Sequence, residues 1–159
     1  MRGHPHIARK KIQPDFKYGS EKIAKFINYI MRRGKKTVAQ KIVYRALDII
    51  KEKTKKDPVK IFEQALSNVA PLVEVKPRRI GGANYQIPFP VPEVRRFTLA
   101  AHWLIGAAKN KKSKPMSVKL AEELLLAFDN QGEAIKKKED THRMAESNRA
   151  FAHFARFTR

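Results

Sequence analysis

Residues 73–91 read VEVKPRRIGGANYQIPFPV, and this stretch distinguishes the predicted fold from a plain helical bundle. Apolar and polar residues alternate at 73–76 and again at 85–91, on either side of the glycine pair at 81–82. A period of two around a two-residue glycine turn is typical of a β-hairpin. Prolines in both arms cannot donate ladder hydrogen bonds, so the sequence predicts a two-stranded ribbon at about 72–91 and not a strand inside a larger sheet.

Helical spacing of apolar residues on both sides of the ribbon predicts six helices, three before it and three after it. Ser20 is a suitable N-cap for the first helix, and Asp57 followed by Pro58 is a strong start signal for the third. Lys35 and Lys36 open the second helix. The predicted fold class is therefore mainly α: a single six-helix domain with a projecting two-stranded β-hairpin and a basic N-terminal arm.

The same periodicity predicts how three of these helices face the core and the solvent. In the second helix, one apolar stripe is expected to face inward (Val38, Ile42, Ala46 and Ile49). In the fifth helix, Glu122 and Glu123 stand beside leucines and are predicted to lie on the solvated face. In the sixth, Glu139 and Arg143 are in the favourable i,i+4 order for an ion pair.

Charge is the second strong feature of the chain. It has 35 Lys and Arg residues against 15 Asp and Glu in 159 residues, a formal net charge of +20. A compact domain with that excess repels itself, so a polyanionic partner is the simplest explanation. An anionic membrane is the weakest candidate, because no stretch approaches the ~20 consecutive apolar residues of a membrane span. Nucleic acid and an acidic protein remain.

Catalytic chemistry finds little support in the sequence. The chain has no cysteine, so it can form no disulfide framework, thiolate metal site or cysteine nucleophile. His4 and His6 lack the carboxylates or thiols of a metal site, and no phosphate-loop, dinucleotide or hydrolase motif occurs. The sequence predicts no enzyme, metal or cofactor. Residues 1–16 lack a secretory apolar region, so a cytoplasmic location or an organelle's own translation compartment is expected.

Composition divides the chain into three predicted parts. Residues 1–18 are basic, contain prolines and show little periodicity, which predicts an extended basic arm. Residues 19–150 form the helical, nucleic-acid-binding domain with its ribbon. Residues 151–159 form a basic aromatic tail.

The ribbon is the first of three candidate binding surfaces. Lys76, Arg78 and Arg79 precede its turn, and Tyr85 and Phe89 are expected to be exposed on the returning strand. A narrow cationic arm can enter a nucleic-acid groove, although such charges also serve to solubilise an exposed edge. The uncovered aromatic side chains favour binding.

The last helix and the tail form the second candidate surface. One face of the helix is cationic with almost no apolar stripe, which favours docking on phosphates over simple solvation (Lys138, His142, Ala145 and Arg149). Lys136 and Lys137 stand beside this face. Phe151, Phe154 and Phe157 alternate with basic residues beyond it. They are candidates for stacking on bases, packing on a neighbouring protein or filling the core.

The third candidate surface is the arm together with Lys35 and Lys36, although a basic terminus alone is an unspecific signal. A further cationic face lies on the predicted fourth helix. There Arg95, His102 and Lys109 are seven residues apart and point the same way.

Five long stretches, in the same order, resemble the bacterial form of the small-subunit ribosomal protein S-seven family along essentially the whole chain. They are KIQPDFKYGS (11–20), GKKTVAQKIVYRAL (34–47), VEVKPRRIGGANYQIPFPV (73–91), VRRFTLAAHWL (94–104) and KKKEDTHRMAESNRAFAHF (136–154). Matches of this length are far more specific than any short motif. The resemblance implies the same architecture of six helices and a β-ribbon.

The resemblance also implies a function: a structural constituent of the small ribosomal subunit that binds the 3′ major domain of its ribosomal RNA and helps nucleate assembly of the head. By positional match, the RNA-binding role falls on Lys10, Lys11, Lys17, Lys35, Lys36, Lys76, Arg78, Arg79, Arg95 and Arg96. The basic faces described above add His102, Lys109, Lys136, Lys137 and Lys138. The ribbon tip and last helix are expected near the exit-site transfer RNA and neighbouring head and platform proteins, through Gly81, Gly82, Arg143 and Asn148.

Three features depart from the family pattern. The N-terminal MRGHPHIA is less arginine-rich than usual, and the FARFTR ending is variable territory to which no partner is transferred. Pro88, Pro90 and Pro92 form an alternating run that is expected to shorten the pairing of the returning strand. Two other classes of function fit the sequence less well. A basic protein that coats DNA explains the charge but not the ribbon, and an RNA-processing enzyme lacks a catalytic cluster.

Overall fold

The computed structural model describes residues 12–157, with side chains placed for residues 12–154. In chain order its elements are α1 (Glu21–Ile30), α2 (Lys36–Thr54), α3 (Pro58–Val69), β1 (Val73–Ile80), β2 (Ala83–Pro90), α4 (Glu93–Asn110), α5 (Met116–Phe128), α6 (Glu133–Ser147) and a 3-10 helix (Arg149–Phe157). The predicted fold, mainly α with six helices and a two-stranded hairpin, is confirmed. The sequence did not predict the 3-10 helix, which occupies most of the expected tail.

Two of the predicted helix starts have the expected capping geometry. The Ser20 hydroxyl accepts a hydrogen bond from the backbone N–H of Ile23 at 3.4 Å. The Asp57 carboxylate accepts one from the N–H of Val59 at 2.9 Å, and Pro58 occupies the first turn. Each cap satisfies a backbone donor that the helix itself leaves free, so these positions fix where α1 and α3 begin.

The core lies around α5, which contacts α2, α3, α4 and α6. Leu120 and Leu124 supply its buried face, and both are at most 1% exposed. On the side of α1 and α3, the rings of Phe26 and Phe62 meet edge to face, with centroids 5.1 Å apart. Burial of such aliphatic and aromatic side chains stabilises the fold by roughly 1.5–3 kcal/mol each.

The inward face of α2 differs from the predicted stripe. Val38 is 50% exposed, and the buried residues are Ala39, Val43, Ala46, Leu47 and Ile50. The helix carries two adjacent apolar stripes, and periodicity alone does not say which of them meets a neighbour. The contacts of α2 with α1, α3 and α5 select the stripe that is turned by one residue. The predicted inward face is therefore wrong, because the buried face of α2 is rotated by one residue from it (Val38, Ile42, Ala46 and Ile49).

Glu123 is a second correction, because its side chain is completely buried and not on a solvated face. Its Oε1 accepts a hydrogen bond from the backbone N–H of Ala134 at 3.1 Å, and its Oε2 lies 2.8 Å from the Lys111 ammonium. A side chain at Gly132 would meet the same carboxylate, with a Cβ only 2.9 Å from Oε1. Glu123 therefore joins the segment before α5 to the start of α6.

The ribbon pairs along its whole length. Its register runs from Val73 opposite Pro90 to Ile80 opposite Ala83, so the expected shortening by prolines is wrong. Residues two apart in an antiparallel strand direct their N–H to the same edge, and the prolines at 88 and 90 both occupy positions on the open edge. Gly81 and Gly82 have φ of +56° and +90°, which suits a two-residue turn that few other residues could form.

The ribbon is held against the helical domain on one face. Ile87 is fully buried, and α6 contacts both strands. Tyr85 packs against Phe151 and Phe154 of the 3-10 helix, with ring centroids 5.1 and 5.7 Å away, and Phe89 lies under the Lys76 ammonium. Both aromatic side chains are half-buried, so the expectation that they are uncovered is wrong.

Residues 16–18 form a turn packed on α2, so the last residues of the predicted arm 1–18 are folded onto the domain. Lys10 and Lys11, like His4 and His6, lie outside the described residues. Within the described part of the chain, no helix combines the length and the apolar character needed to cross a membrane.

Candidate nucleic-acid interface

Two basic loops meet at one end of the helical domain, which we call the basic end. They are the loop between α1 and α2, MRRGKK at 31–36, and the loop between α4 and α5, whose basic run KNKKSK begins in the last turn of α4 and spans 109–114. Between them lies a shallow groove of about 290 Å³ with an apolar floor and a cationic rim. Its lining comprises Ile30, Arg32, Lys35, Val38, Ala39, Ile42, Lys109 and Met116.

The charges of the basic end repel one another. The pKa of Lys109 is lowered, first by partial desolvation of its ammonium and second by the nearby Arg32 guanidinium. Lys35 and Lys36 stand at the start of α2, where the first turn contains no acidic residue. The N-terminus of a helix carries partial positive charge, so two lysines there add to it. An arrangement of this kind favours binding of an anion such as phosphate.

A cationic face of α4 runs from the basic end towards the ribbon, as the seven-residue spacing predicts. Arg95, His102 and Lys109 are all exposed along it. The imidazole of His102 lies 5.0 Å from the ring of Tyr29 on α1. Since the helix rises 1.5 Å per residue, the face is about 21 Å long. It therefore connects the basic end to the base of the ribbon.

Glu74 brings cations together where β1 meets α4, a place we call the ribbon root. Its nearly buried carboxylate lies 2.9 Å from the Lys76 ammonium and 3.3 Å from the Arg95 guanidinium. Burial acts to raise the pKa of Glu74, but Lys76 and Arg95 together hold it below its ordinary value. Two of the predicted RNA-binding cations are thus partly neutralised within the domain.

The tip of the ribbon carries Arg78 and Arg79, both exposed. Neighbouring residues of a strand point to opposite faces, so the two guanidinium groups do not share a surface. Arg78 pairs across the ribbon with Tyr85, and Arg79 pairs with Asn84. Within residues 12–154 neither arginine forms an ion pair.

The predicted docking face of α6 points into the protein. The Lys138 ammonium donates to the backbone carbonyl of Asn68 at 2.6 Å, and His142 Nε2 accepts from the N–H of Leu72 at 3.1 Å. Ala145 is buried. Burial, and then the neighbouring Lys138 ammonium, lower the pKa of His142. The same face therefore fastens α6 to α3 and to the start of β1, so Lys138 and His142 already have partners within the domain. That this face also meets phosphates stays a prediction.

The other polar residues of α6 remain at the surface. Lys136 and Lys137 are exposed and form no ion pair among the described side chains. Arg143 lies 3.3 Å from Asp140, one turn away, and not next to Glu139 as predicted. The favourable spacing of Glu139 and Arg143 does not by itself bring them together.

Five more predicted residues have defined surroundings. Lys17 lies 2.8 Å from Asp48 on α2. Arg96 is half-buried between α1, α3 and α4, and its Nε has no hydrogen-bond partner among the described atoms. Gly81 and Gly82 form the exposed ribbon tip, whereas Asn148 ends α6 and donates to the carbonyl of Met144 at 2.8 Å. The candidates at the ribbon tip and at the end of α6 therefore lie on separate elements.

A sequence model of the family described as ribosomal protein S7p/S5e matches residues 2–149. The chain belongs to this family. The predicted resemblance to the small-subunit S-seven proteins is therefore confirmed, and the chain is a ribosomal protein, a structural and non-enzymatic component of the ribosome. The family match includes the ribbon, both loops of the basic end and most of the arm.

Curated relatives agree with this assignment. The small ribosomal subunit protein uS7 of Thermotoga neapolitana is 61% identical over 146 residues, which cover 92% of this chain and 94% of the relative. The protein of the same name from Thermotoga maritima is 60% identical over 146 residues, with the same coverage. That from Nitrosomonas europaea is 55% identical over 148 residues, covering 93% of this chain and 95% of the relative.

The structure contains two site residues that the sequence did not predict. Arg32 lines the groove of the basic end, and it could have been found from its place in the run at 31–36. Glu74 organises the ribbon root, but nothing in its strand pattern marks it as buried. Within the described residues, no three His, Asp or Glu side chains are grouped so that they could hold a metal ion.

Proposed function

We propose that this chain is a structural protein of the small ribosomal subunit that binds the 3′ major domain of the subunit's ribosomal RNA. The observation that carries the proposal is the basic end. There Arg32, Lys35 and Lys109 converge on one groove without a carboxylate among its lining residues. A cluster of cations that repel one another is stabilised when a phosphate backbone enters between them.

The shape of the groove supports an RNA partner. Val38, which is 50% exposed, and Met116 belong to its apolar floor, beneath the cationic rim. Folded RNA offers unpaired bases next to phosphates, and such a groove can accept both. Regular duplex DNA keeps its bases stacked, so it presents its backbone and base edges but no unpaired base faces. The groove therefore favours structured RNA, in agreement with the names of the relatives.

A role in assembly follows from the rigidity of the frame. The α4 face and the basic end are fixed to one core, so RNA segments bound along them would be held in a set arrangement. Such a protein helps nucleate the head of the subunit by reducing the freedom of the RNA before later proteins bind. Neighbouring ribosomal proteins of the head and platform are its further partners.

The ribbon supports a contact with transfer RNA in the exit site. Its tip projects Arg78 and Arg79 beside the exposed turn Gly81–Gly82, and Arg143 is exposed on α6. Small residues at the tip allow close approach of another backbone, while the arginines supply charge. Replacing both arginines by Ala is expected to weaken retention of deacylated transfer RNA and to leave incorporation into subunits intact.

The RNA partner is tested by competition binding of the purified chain. The probe is a labelled transcript of the 3′ major domain, and the competitors are a transcript of the 5′ domain and duplex DNA of equal length. We expect the 3′ transcript to bind more tightly than either competitor by about 10³-fold or more at physiological salt. Equal affinity for all three polymers would contradict the proposal and support a protein that coats nucleic acid without preference.

A further inference from the structure

The point where the arm joins the domain is built from an unusual set of hydrogen bonds. Asp15 is a carboxylate only 5% exposed. Its Oδ2 accepts from the backbone N–H groups of Lys17 and Tyr18, both at 3.1 Å, and its Oδ1 accepts from the hydroxyl of Tyr44 at 2.6 Å. The N–H of Gly19 closes the turn by donating to the Asp15 carbonyl at 2.8 Å. We call this turn, residues 15–19, the arm root.

A second set of contacts joins the arm root to α2. The Lys17 ammonium lies 2.8 Å from Asp48, and the Tyr18 hydroxyl donates to the same carboxylate at 3.3 Å. Lys17 also lies over the rings of Tyr18 and Tyr44, 5.3 and 5.5 Å from their centroids. Burial and the hydrogen bond to Asp15 raise the pKa of Tyr44 to about 12. The arm root is therefore attached to α2 at two points one helical turn apart.

This geometry changes the role of Lys17. Its hydrogen bond to Asp48 is the main cause that raises its pKa, so the ammonium already has an anionic partner within the domain. Three further basic residues precede the turn in sequence, Arg9, Lys10 and Lys11. They stand four to six residues before Asp15, so the length of chain between them limits their distance from it. The position of Asp15 thus sets where this stretch of chain joins the domain.

We propose that Asp15 and Tyr44 are positioning residues for RNA binding: they fix the start of the arm to α2, the helix whose first residues belong to the basic end. The inference rests on the proposed function, because it assumes that the arm and the basic end bind the same RNA. A tether fixed at one point raises the effective concentration of Arg9, Lys10 and Lys11 at the RNA held by the basic end. It does so without either positioning residue touching RNA.

The alternative is a purely structural role, in which the arm root only holds α1 against α2. The two roles differ in one respect. A positioning role requires the cations of the arm, whereas a structural role weakens RNA binding equally whether or not those cations are present. A double-mutant cycle between the arm root and the arm therefore separates them.

The experiment measures the dissociation constant for a transcript of the 3′ major domain with four full-length chains. They are the parent, Tyr44→Phe, an arm variant with Arg9→Ala, Lys10→Ala and Lys11→Ala, and the combination of both. Tyr44→Phe keeps the ring and removes only the hydroxyl that donates to Asp15. We expect it to weaken binding about threefold to tenfold in the parent, the effect of one lost hydrogen bond, and less than about twofold in the arm variant.

Tyr29→Phe is the matched control. Tyr29 is another half-buried tyrosine, and its hydroxyl lies 3.0 Å from the Thr98 hydroxyl, away from the arm root. It should change affinity less than about twofold in both backgrounds, within the error of additivity. Thermal unfolding of all variants shows whether both Tyr→Phe changes leave the fold intact.

Two results would overturn the inference, and they are distinguishable. In the first, Tyr44→Phe weakens RNA binding equally with and without the arm cations, or does not weaken it although the arm variant itself loses affinity. This result removes the positioning role and leaves the proposed function standing. An arm variant that binds the transcript as tightly as the parent removes the arm from the RNA interface, and the inference with it. A loss confined to the parent background supports it.

Discussion

The basic end and the ribbon root both gather cations, but they use them in opposite ways. At the basic end, Lys35 and Lys109 line an open groove and form no ion pair within the described residues. At the ribbon root, Lys76 and Arg95 surround the nearly buried carboxylate of Glu74. The first cluster is incomplete without an external anion, whereas the second is largely complete by itself.

The number of cations in a stretch of sequence therefore does not reveal the role of that stretch. Three consecutive lysines in α6 divide in the same way: Lys136 and Lys137 are exposed, and Lys138 donates to the Asn68 carbonyl of α3. Only the free members can release counterions when they meet a phosphate. The internal members contribute to the stability of the domain that spaces the free ones.

The largest expected effect concerns Glu123, whose partner Lys111 belongs to the same basic run as the free Lys109. Glu123→Ala should lower the free energy of unfolding by about 3–5 kcal/mol, because it leaves Lys111 and the N–H of Ala134 without their partner. The neighbouring Glu122→Ala is the matched control. Glu122 pairs with exposed Lys114, so its loss should cost less than about 1 kcal/mol. Urea unfolding measures both, and equal losses would contradict the described role of Glu123.

A smaller effect separates the lysines of α6. Lys138→Met should destabilise the domain by about 1–2 kcal/mol, since it removes a charge-assisted hydrogen bond to the last turn of α3. Lys137→Met should leave stability within about 0.5 kcal/mol and weaken RNA binding instead. Unfolding and RNA binding are measured for both variants. If Lys138→Met affects binding alone, the assignment of that lysine to the interior is wrong.

The smallest expected effect is a dependence on pH where α6 meets the start of β1. The pKa of His142 is lowered from its ordinary value of 6.5, first by burial and then by the Lys138 ammonium. The unfolded chain therefore takes up a proton near pH 6.5 while the folded chain does so only at lower pH, so stability falls as the pH drops through this range. Protonated Nε2 also can no longer accept from the N–H of Leu72.

The size of this loss should be about 1 kcal/mol or less, the contribution of one ordinary hydrogen bond. Urea unfolding between pH 7 and pH 5 measures it against a His142→Gln variant, which cannot titrate. An identical pH dependence of the two proteins would show that protonation of His142 does not weaken the contact between α6 and the start of β1.

The elements of the fold were predictable because their signals are local. The cap at Ser20, the Asp57-Pro58 start and the Gly81-Gly82 turn each depend on residues adjacent in sequence. The orientation of those elements was not local. Val38 is exposed because the neighbours of α2 meet the adjacent stripe, and no feature of α2 itself distinguishes the two stripes.

The sequence predicted which stretches of the candidate site are basic, but it did not predict which groups those basic side chains contact. The sequence indicated that the runs at 31–36 and 136–138 are basic, yet it could not reveal that Lys138 meets a carbonyl 70 residues away. Glu123 illustrates a missed local signal, since it lies three residues after Leu120 and four before Ala127, on the buried face. Its charge led to the wrong prediction, because a buried carboxylate requires partners that only tertiary structure supplies.

The central claim is that unpaired cations of the basic end bind RNA through its phosphates, and the salt dependence of RNA affinity tests it most directly. The experiment compares two double variants. The first carries Lys35→Gln and Lys36→Gln, and the control carries Lys51→Gln and Lys53→Gln, at two exposed lysines near the other end of the same helix, about 24 Å away. The first pair should lower the slope of log affinity against log salt by about 1.4 to 1.8, and the second should leave it unchanged. The same slope in both variants would contradict the account.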